Sequence, residues 1–218
     1  MTAGYGSKTA LHQVCLRFPN TRVTALLGPG GSGKSTTLRI LEGQTSDDLW
    51  WQGERRVDCS TTVFQTQLPR NPFEVKQVRQ ELADRSWSGT VEEVWGTIPE
   101  AAEAVTRILD SRPEDWSLWH LQLLRLTVTA HASADLYLID EPEVEMPFSA
   151  LPWLTLQLRR LARRALVVMV THNLCFARQA AHEVILLADG HVLQYGETES
   201  LFEHPSSPRI EQFLQLGG

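Results

Sequence analysis

Nine residues, Gly28-Pro29-Gly30-Gly31-Ser32-Gly33-Lys34-Ser35-Thr36, constrain this chain more than any other stretch. They match G-x-x-x-x-G-K-[ST] in full. An apolar run, Val23 to Leu27, precedes them, and Lys34 to Gly43 follows with Leu38 and Leu41 on one helical face. Strand, glycine loop and helix form the context in which this pattern cradles phosphate. Glycines let the backbone curl so that several N–H groups converge on an anion, and the helix N-terminus adds a favourable dipole. Lys34 supplies a cation for the β- and γ-phosphates, and the Ser35 hydroxyl suits Mg²⁺. The segment from Gly28 to Thr36 is therefore predicted to hold ATP and Mg²⁺. An incidental glycine turn with a stray lysine would not be expected to fill every defined position in this context.

Kinases, GTPases, helicases and transporter ATPases share that loop, so other residues must choose between them. Leu136 to Ile139 reads as a buried strand that ends in two carboxylates, Asp140 and Glu141, followed by Pro142. Asp140 at a strand end can hold Mg²⁺. Glu141 is suited to polarise an attacking water as general base. Thr171-His172 follows the next apolar run, Leu166 to Val170, where the histidine can reach a γ-phosphate. A lone histidine is more often structural, and the strand end is what favours contact. Gln65, after Thr62-Val63-Phe64, is a candidate for touching Mg²⁺ and the attacking water.

The remaining pattern is α/β. Residues 10–18 and 22–27 read as strands around a Pro19-Asn20 turn, and 60–65 as another. From about Phe73 to Ala134 the spacing becomes helical, as in Val75, Val78 and Leu82, and this span reads as a helical subdomain. Val184 to Leu187 is a further strand, Trp153 to Ala165 is amphipathic, and Thr198 to Leu216 is helical with a break at Pro205 to Pro208. Apolar strands alternating with helices imply a mainly parallel sheet covered on both faces. One domain of 1–218 accommodates all of it.

A net charge of −6 argues against a nucleic-acid partner. Arg159, Arg160, Arg163 and Arg164 are expected to form a solvated helix face. Cys15, Cys59 and Cys175 are too few and too scattered for a disulfide framework or a zinc site, which fits a reducing cytoplasm. No apolar run is long enough to cross a bilayer, so any membrane role requires docking on a separate protein. Trp87, Trp95, Trp116 and Trp119 are expected to be core residues more than interface residues.

The order of phosphate loop, Gln65, Asp140-Glu141-Pro142 and Thr171-His172 resembles that of the ATP-binding subunits of ABC transporters, over nearly the whole chain. The resemblance implies a P-loop ATPase core, an antiparallel β subdomain and a helical subdomain. It implies that Tyr5 stacks on adenine. It also implies integral membrane permease partners and a peripheral position on the inner face of the cell membrane. The Asn71-Pro72-Phe73 segment and the tail from Thr171 through Gly196-Glu197-Thr198 most resemble phosphate-import ATPases.

Two segments depart from the family. The Leu-Ser-Gly-Gly-Gln signature, counted back from Asp140, falls on Trp116-Ser117-Leu118-Trp119-His120, where both glycines are lost. A shift of two residues would match Leu118 and Gln122 and still lack them. The Ser-Ala-Leu-Asp segment falls on Val144-Glu145-Met146-Pro147. A Ser149-Ala150-Leu151 run comes later and ends in Pro152. These losses touch what such a subunit offers to a partner's nucleotide, so a heterodimer with a second ATPase of intact signature is expected. The competing readings are a regulatory subunit with slow turnover and a non-transport ABC ATPase.

Overall fold

The buried strands sort the chain into two layers. In a computed structural model that describes residues 1–44 and 48–216, a three-stranded antiparallel sheet is built from β1 (Thr2–Tyr5), β2 (Lys8–Leu11) and β4 (Leu49–Gln52), in the order β2-β1-β4. A six-stranded sheet contains β3 (Val23–Leu27), β5 (Thr62–Gln65), β6 (Leu136–Asp140), β7 (Leu166–Val170), β8 (Glu183–Ala188) and β9 (His191–Glu197). Its order is β5-β6-β7-β3-β8-β9, parallel except for β9 at the edge.

Alternation of side chains along the parallel strands divides the core. Tyr137 and Ile139 of β6, with Val167 and Met169 of β7, face one cluster. Leu136 and Leu138, with Val168 and Val170, face the other. The first face is covered by helices α2 (Pro72–Ala83), α3 (Thr90–Trp95), α4 (Pro99–Leu109), α5 (Leu118–His131), α6 (Leu151–Leu161) and α7 (Leu174–Ala180). The second is covered by α1 (Lys34–Glu42) and the antiparallel sheet. Such two-sided burial is why these strands are continuously apolar. The tail forms α8 (Thr198–Glu203) and α9 (Pro208–Leu216) on either side of the expected break.

The expected strand over 10–18 is cut short, because β2 stops at Leu11. Gln13 has a left-handed backbone, φ 49°, which turns the chain out of the ladder. The backbone then pairs with the residue just before β1, the Val14 N–H donating to Met1 O at 2.7 Å. The amphipathic stretch also starts earlier than expected, since Pro152 occupies the first turn of α6, a position where its missing N–H costs nothing. Asn71 caps α2 by accepting from the Phe73 N–H at 2.9 Å, with Pro72 in the first turn.

The arginine cluster is a solvated face that also serves the structure. Arg160 donates to Val94 O at 2.7 Å and Glu93 O at 2.9 Å, at the end of α3. Arg164 reaches Ala130 O at 3.3 Å near the end of α5, and Arg159 reaches Ala180 O at 3.4 Å at the end of α7. Cations there satisfy orphan carbonyls and the helix dipole. Arg159, Arg163 and Arg164 are nonetheless exposed, as the solvated expectation has it, and Arg160 is half-buried.

The tryptophans pack in the large cluster, Trp95 and Trp116 buried and Trp87 and Trp119 at its margin. Trp95 is fully buried, and its indole N–H donates to the Thr127 hydroxyl at 2.8 Å. Trp116 donates to Ile108 O at 2.8 Å. We expect Trp95→Ala to lose about 3–5 kcal/mol of stability, and Trp95→Phe about 1 kcal/mol for the hydrogen bond plus a smaller packing cost. Urea unfolding at constant pH measures both, and equal effects would contradict this packing.

Candidate functional site

The phosphate loop is shaped by two close approaches. Gly28 has φ 144°, and a Cβ there would run into Leu187 O of β8. Gly33, φ 101°, lies against Leu11 and Ala10 of β2, with a Cβ only 2.8 Å from Ala10 O. Glycine is required at both for conformation and space. Beside Gly30 and Gly31 there is nothing within 4 Å of a built Cβ, so the loop opens there as a cradle. Lys34 is buried, and its ammonium donates to Gly28 O at 2.7 Å, Pro29 O at 2.9 Å and the Ser32 hydroxyl at 3.4 Å. Burial pulls its pKa below the usual lysine value, opposed by the nearby Glu141 and Asp140 carboxylates. Thr36 lies buried one turn into α1.

Across from this loop, β6 delivers the acids. Burial raises the Asp140 pKa, while a hydrogen bond with the Ser35 side chain lowers it. Ser35 and Asp140 are thus adjacent oxygen donors beside an open cradle, a set that suits Mg²⁺. Glu141 has a left-handed backbone, φ 50°, an uncommon conformation that concentrates at functional sites. His172 Nε2 lies 3.2 Å from Glu141 Oε1. Lys34, Ser35, Asp140, Glu141 and His172 therefore meet at one edge of the sheet.

Two predicted residues sit differently. The Gln65 side chain is buried against α5, where its Oε1 accepts from the Thr129 hydroxyl at 2.7 Å. Its Nε2 has no hydrogen-bond partner among the described residues. Tyr5 is half-buried beside α1, with Arg39 donating to its hydroxyl at 3.0 Å and lying 5.8 Å from the ring centroid. A separate cavity of about 690 Å³ opens beneath α1, between residues such as Val14, Phe18, Ile40 and Leu136. No phosphate-loop glycine and neither acid lines it, so the chemistry lies elsewhere.

This geometry agrees with what the chain is similar to. Residues 11–144 match the family model for the ABC transporter. The chain belongs to that family. It is 32% identical to the phosphate import ATP-binding protein of Mycobacterium intracellulare, covering 98% of this chain and 83% of the relative. A probable sulfate/thiosulfate import ATP-binding protein of Chlorella vulgaris is 28% identical over 97% of this chain and 95% of the relative. A solved ATP-binding subunit of an ABC transporter shares the fold, with TM-score 0.69 at 21% identity, over 99% of this chain and 96% of that one. The P-loop ATPase fold is thereby established, and ATP hydrolysis is expected of subunits of this family. Among the described residues, no helix is long and apolar enough to cross a membrane.

Three functional contacts escaped the sequence reading. Gln67 donates through Nε2 to Glu141 Oε2. Gln67 lies beyond the end of β5, where strand periodicity gives no signal for it. Gln122 is fully buried inside α5 and donates to Pro142 O at 2.9 Å, which removes it from any surface motif shifted onto Leu118. Glu143 is buried and accepts from the Thr171 hydroxyl.

Burial, with the Glu141 charge adding to it, pushes the Glu143 carboxyl from its ordinary 4.5 up to about 7, against the hydrogen bond from Thr171. A raised acid means that the folded chain holds a proton that the unfolded chain has lost between these values. Stability contributed by this group therefore falls as pH rises from 4.5 to 7 and is flat above. We expect the wild-type chain to lose roughly 2–3 kcal/mol from this source between pH 5 and 8. Glu143→Gln removes that slope, as read by urea unfolding at both pH values. An undiminished slope in the variant would assign it to other groups.

Proposed function

We propose that this ABC family subunit hydrolyses ATP to drive an importer of phosphate or a similar oxyanion. In this reading residues 1–218 form one ATP-binding domain, with a helical subdomain over about 73–134. It works peripherally on the inner face of the cell membrane, with integral permease subunits as partners. The observation that carries the reading is the convergence of Lys34, Ser35, Asp140, Glu141 and His172. Similarity to phosphate import ATP-binding proteins supports the solute, although sulfate/thiosulfate and amino-acid import subunits are also among the relatives.

Ser35 and Asp140 would hold Mg²⁺, with Gln65 as a further ligand on the family reading. Bound Mg²⁺ supplies charge neutralisation on the phosphates. The Gly28 to Gly33 backbone and Lys34 orient the β- and γ-phosphates, and Tyr5 stacks on adenine. Glu141 takes the proton of the attacking water, and His172 contacts the γ-phosphate.

We further infer that a second ATPase subunit completes the site. In the signature positions, Ser117 caps α5, accepting from the backbone three residues on, while His120 Nδ1 accepts from the Ser117 N–H at 3.2 Å. Leu118 is exposed, and Trp119 packs edge-on against His120 with centroids 4.3 Å apart. Those side chains crowd the close backbone approach that glycines would allow. A slow regulatory subunit is the second reading, favoured by the occupation of both Glu141 carboxylate oxygens by Gln67 and His172.

Loss of one donor to a transition-state charge typically costs about 10²–10³ in rate. The purified chain is expected to turn over ATP at least that much more slowly alone than with a partner of intact signature, and Lys34→Ala in this chain should abolish the gain. Fast turnover by the isolated chain, lost in Lys34→Ala, would defeat the heterodimer. No gain with any partner would favour the regulatory reading.

A further inference from the structure

Two acids bracket the turn from Thr171 to Asn173. Glu141 contacts His172 at 3.2 Å, and Glu143 accepts from the Thr171 hydroxyl. The Thr171 oxygen accepts in turn from the Asn173 N–H at 2.9 Å. Asn173 Oδ1 then accepts from the Phe176 N–H at 2.9 Å and caps α7. Glu143 is thus the first link in a polar chain that fixes the segment carrying His172.

An acid is a costly choice for this link. Glu143 is only 9% exposed, and its Oε2 is covered with no hydrogen-bond partner among the described residues. Burying a carboxyl with one oxygen unpartnered is unfavourable. Threonine or glutamine could satisfy Thr171 without that cost. Neither the phosphate loop nor the Asp140–Glu141 pair uses this group.

We propose that Glu143 is a positioning residue: through Thr171 it holds His172 towards the γ-phosphate and so sets how strongly this chain prefers ATP to ADP. The inference rests on the nucleotide reading above and goes beyond it by naming the residue that tunes the discrimination. The groups touching Glu143, the Thr171 hydroxyl and the Asn173 N–H, do not titrate. The ionisable neighbours are Glu141 on its own loop and, in contact with Glu141, His172 across the turn. Ionised Glu143 accepts more strongly than its neutral form. The ATP preference therefore rises between pH 6 and 8.

Calorimetric titration of the full chain with Mg-ATP and Mg-ADP tests this without requiring turnover. His172→Ala is expected to cut the ratio of the two affinities by about tenfold or more, the worth of a hydrogen bond to a charged group. Glu143→Ala should cut it by a similar factor, and the double variant should lose no more than either alone. Glu143→Gln keeps an acceptor for Thr171, so it should restore most of the ratio while removing the rise with pH. Additive losses, an unchanged ratio in Glu143→Ala, or an undiminished pH dependence in Glu143→Gln each overturn the proposal. If Glu143→Ala fails to fold, the near-isosteric Glu143→Gln and its pH profile carry the test. An unaltered chain that binds no Mg-ATP overturns the nucleotide reading and this inference together. Binding with ratios insensitive to Glu143 overturns this inference alone.

Discussion

Parallel pairing in register is the constraint on which the site depends. Leu26 lies opposite Val170, Val170 opposite Asp140, and Ile139 opposite Gln65. The carboxyl ends of β3, β5, β6 and β7 therefore share one edge. The phosphate loop leaves that edge after Leu27, the two acids end β6, and Thr171-His172 follows β7. Open α/β sheets bind ligands at such an edge for this reason. Register is held by burial on both faces, since Leu138 and Ile139 enter different clusters. A slip of one residue in β6 would exchange those faces and turn Asp140 away from Ser35.

Once the strands are aligned, the charges constrain one another. The Lys34 ammonium is satisfied by carbonyls of its own loop, which keeps a buried cation tolerable beside an open cradle. Glu141 stands in a left-handed conformation that costs on the order of 1–3 kcal/mol. Its surroundings hold it there. Its N–H donates to Val170 O at 2.9 Å, Gln122 fixes the next carbonyl, and Gln67 and His172 meet the two carboxylate oxygens. The strained residue is thus over-determined from three elements distant in sequence, which is the condition for strain to persist.

That distance explains what could be read in advance. The phosphate loop, the apolar strands and the acids ending β6 are local patterns, legible because each needs only its own neighbours. Gln65 and His172 were reached from their places after apolar strand runs and Tyr5 through the family resemblance, and the surroundings of all three were not legible. Whether Gln65 or Gln67 meets Glu141 depends on how residues 66–71 leave β5, and nothing in Gln65-Thr66-Gln67 encodes that. The arginines in and just after α6 read only as a charged face because their acceptors, carbonyls at the ends of α3, α5 and α7, are invisible to local spacing. Gln13 ended a promising strand through a backbone angle that its side chain does not announce.

The same distinction separates the two halves of the chemistry. Lys34, Ser35 and Asp140 stand together at the open edge, with Glu141 and His172 in contact beside them. At the positions proposed to face a partner, Ser117 and His120 bond to their own chain while Leu118 is exposed. The Ser117 hydroxyl closes the first turn of α5, and His120 accepts from the Ser117 N–H. Accepting in that box leaves the Ser117 O–H free to donate, so the obstacle to a neighbour's phosphate is steric. Leu118 and Trp119 add bulk where close backbone approach is needed. The asymmetry proposed for the assembly thus rests on the bulk of Leu118 and Trp119 and not on a lost hydroxyl.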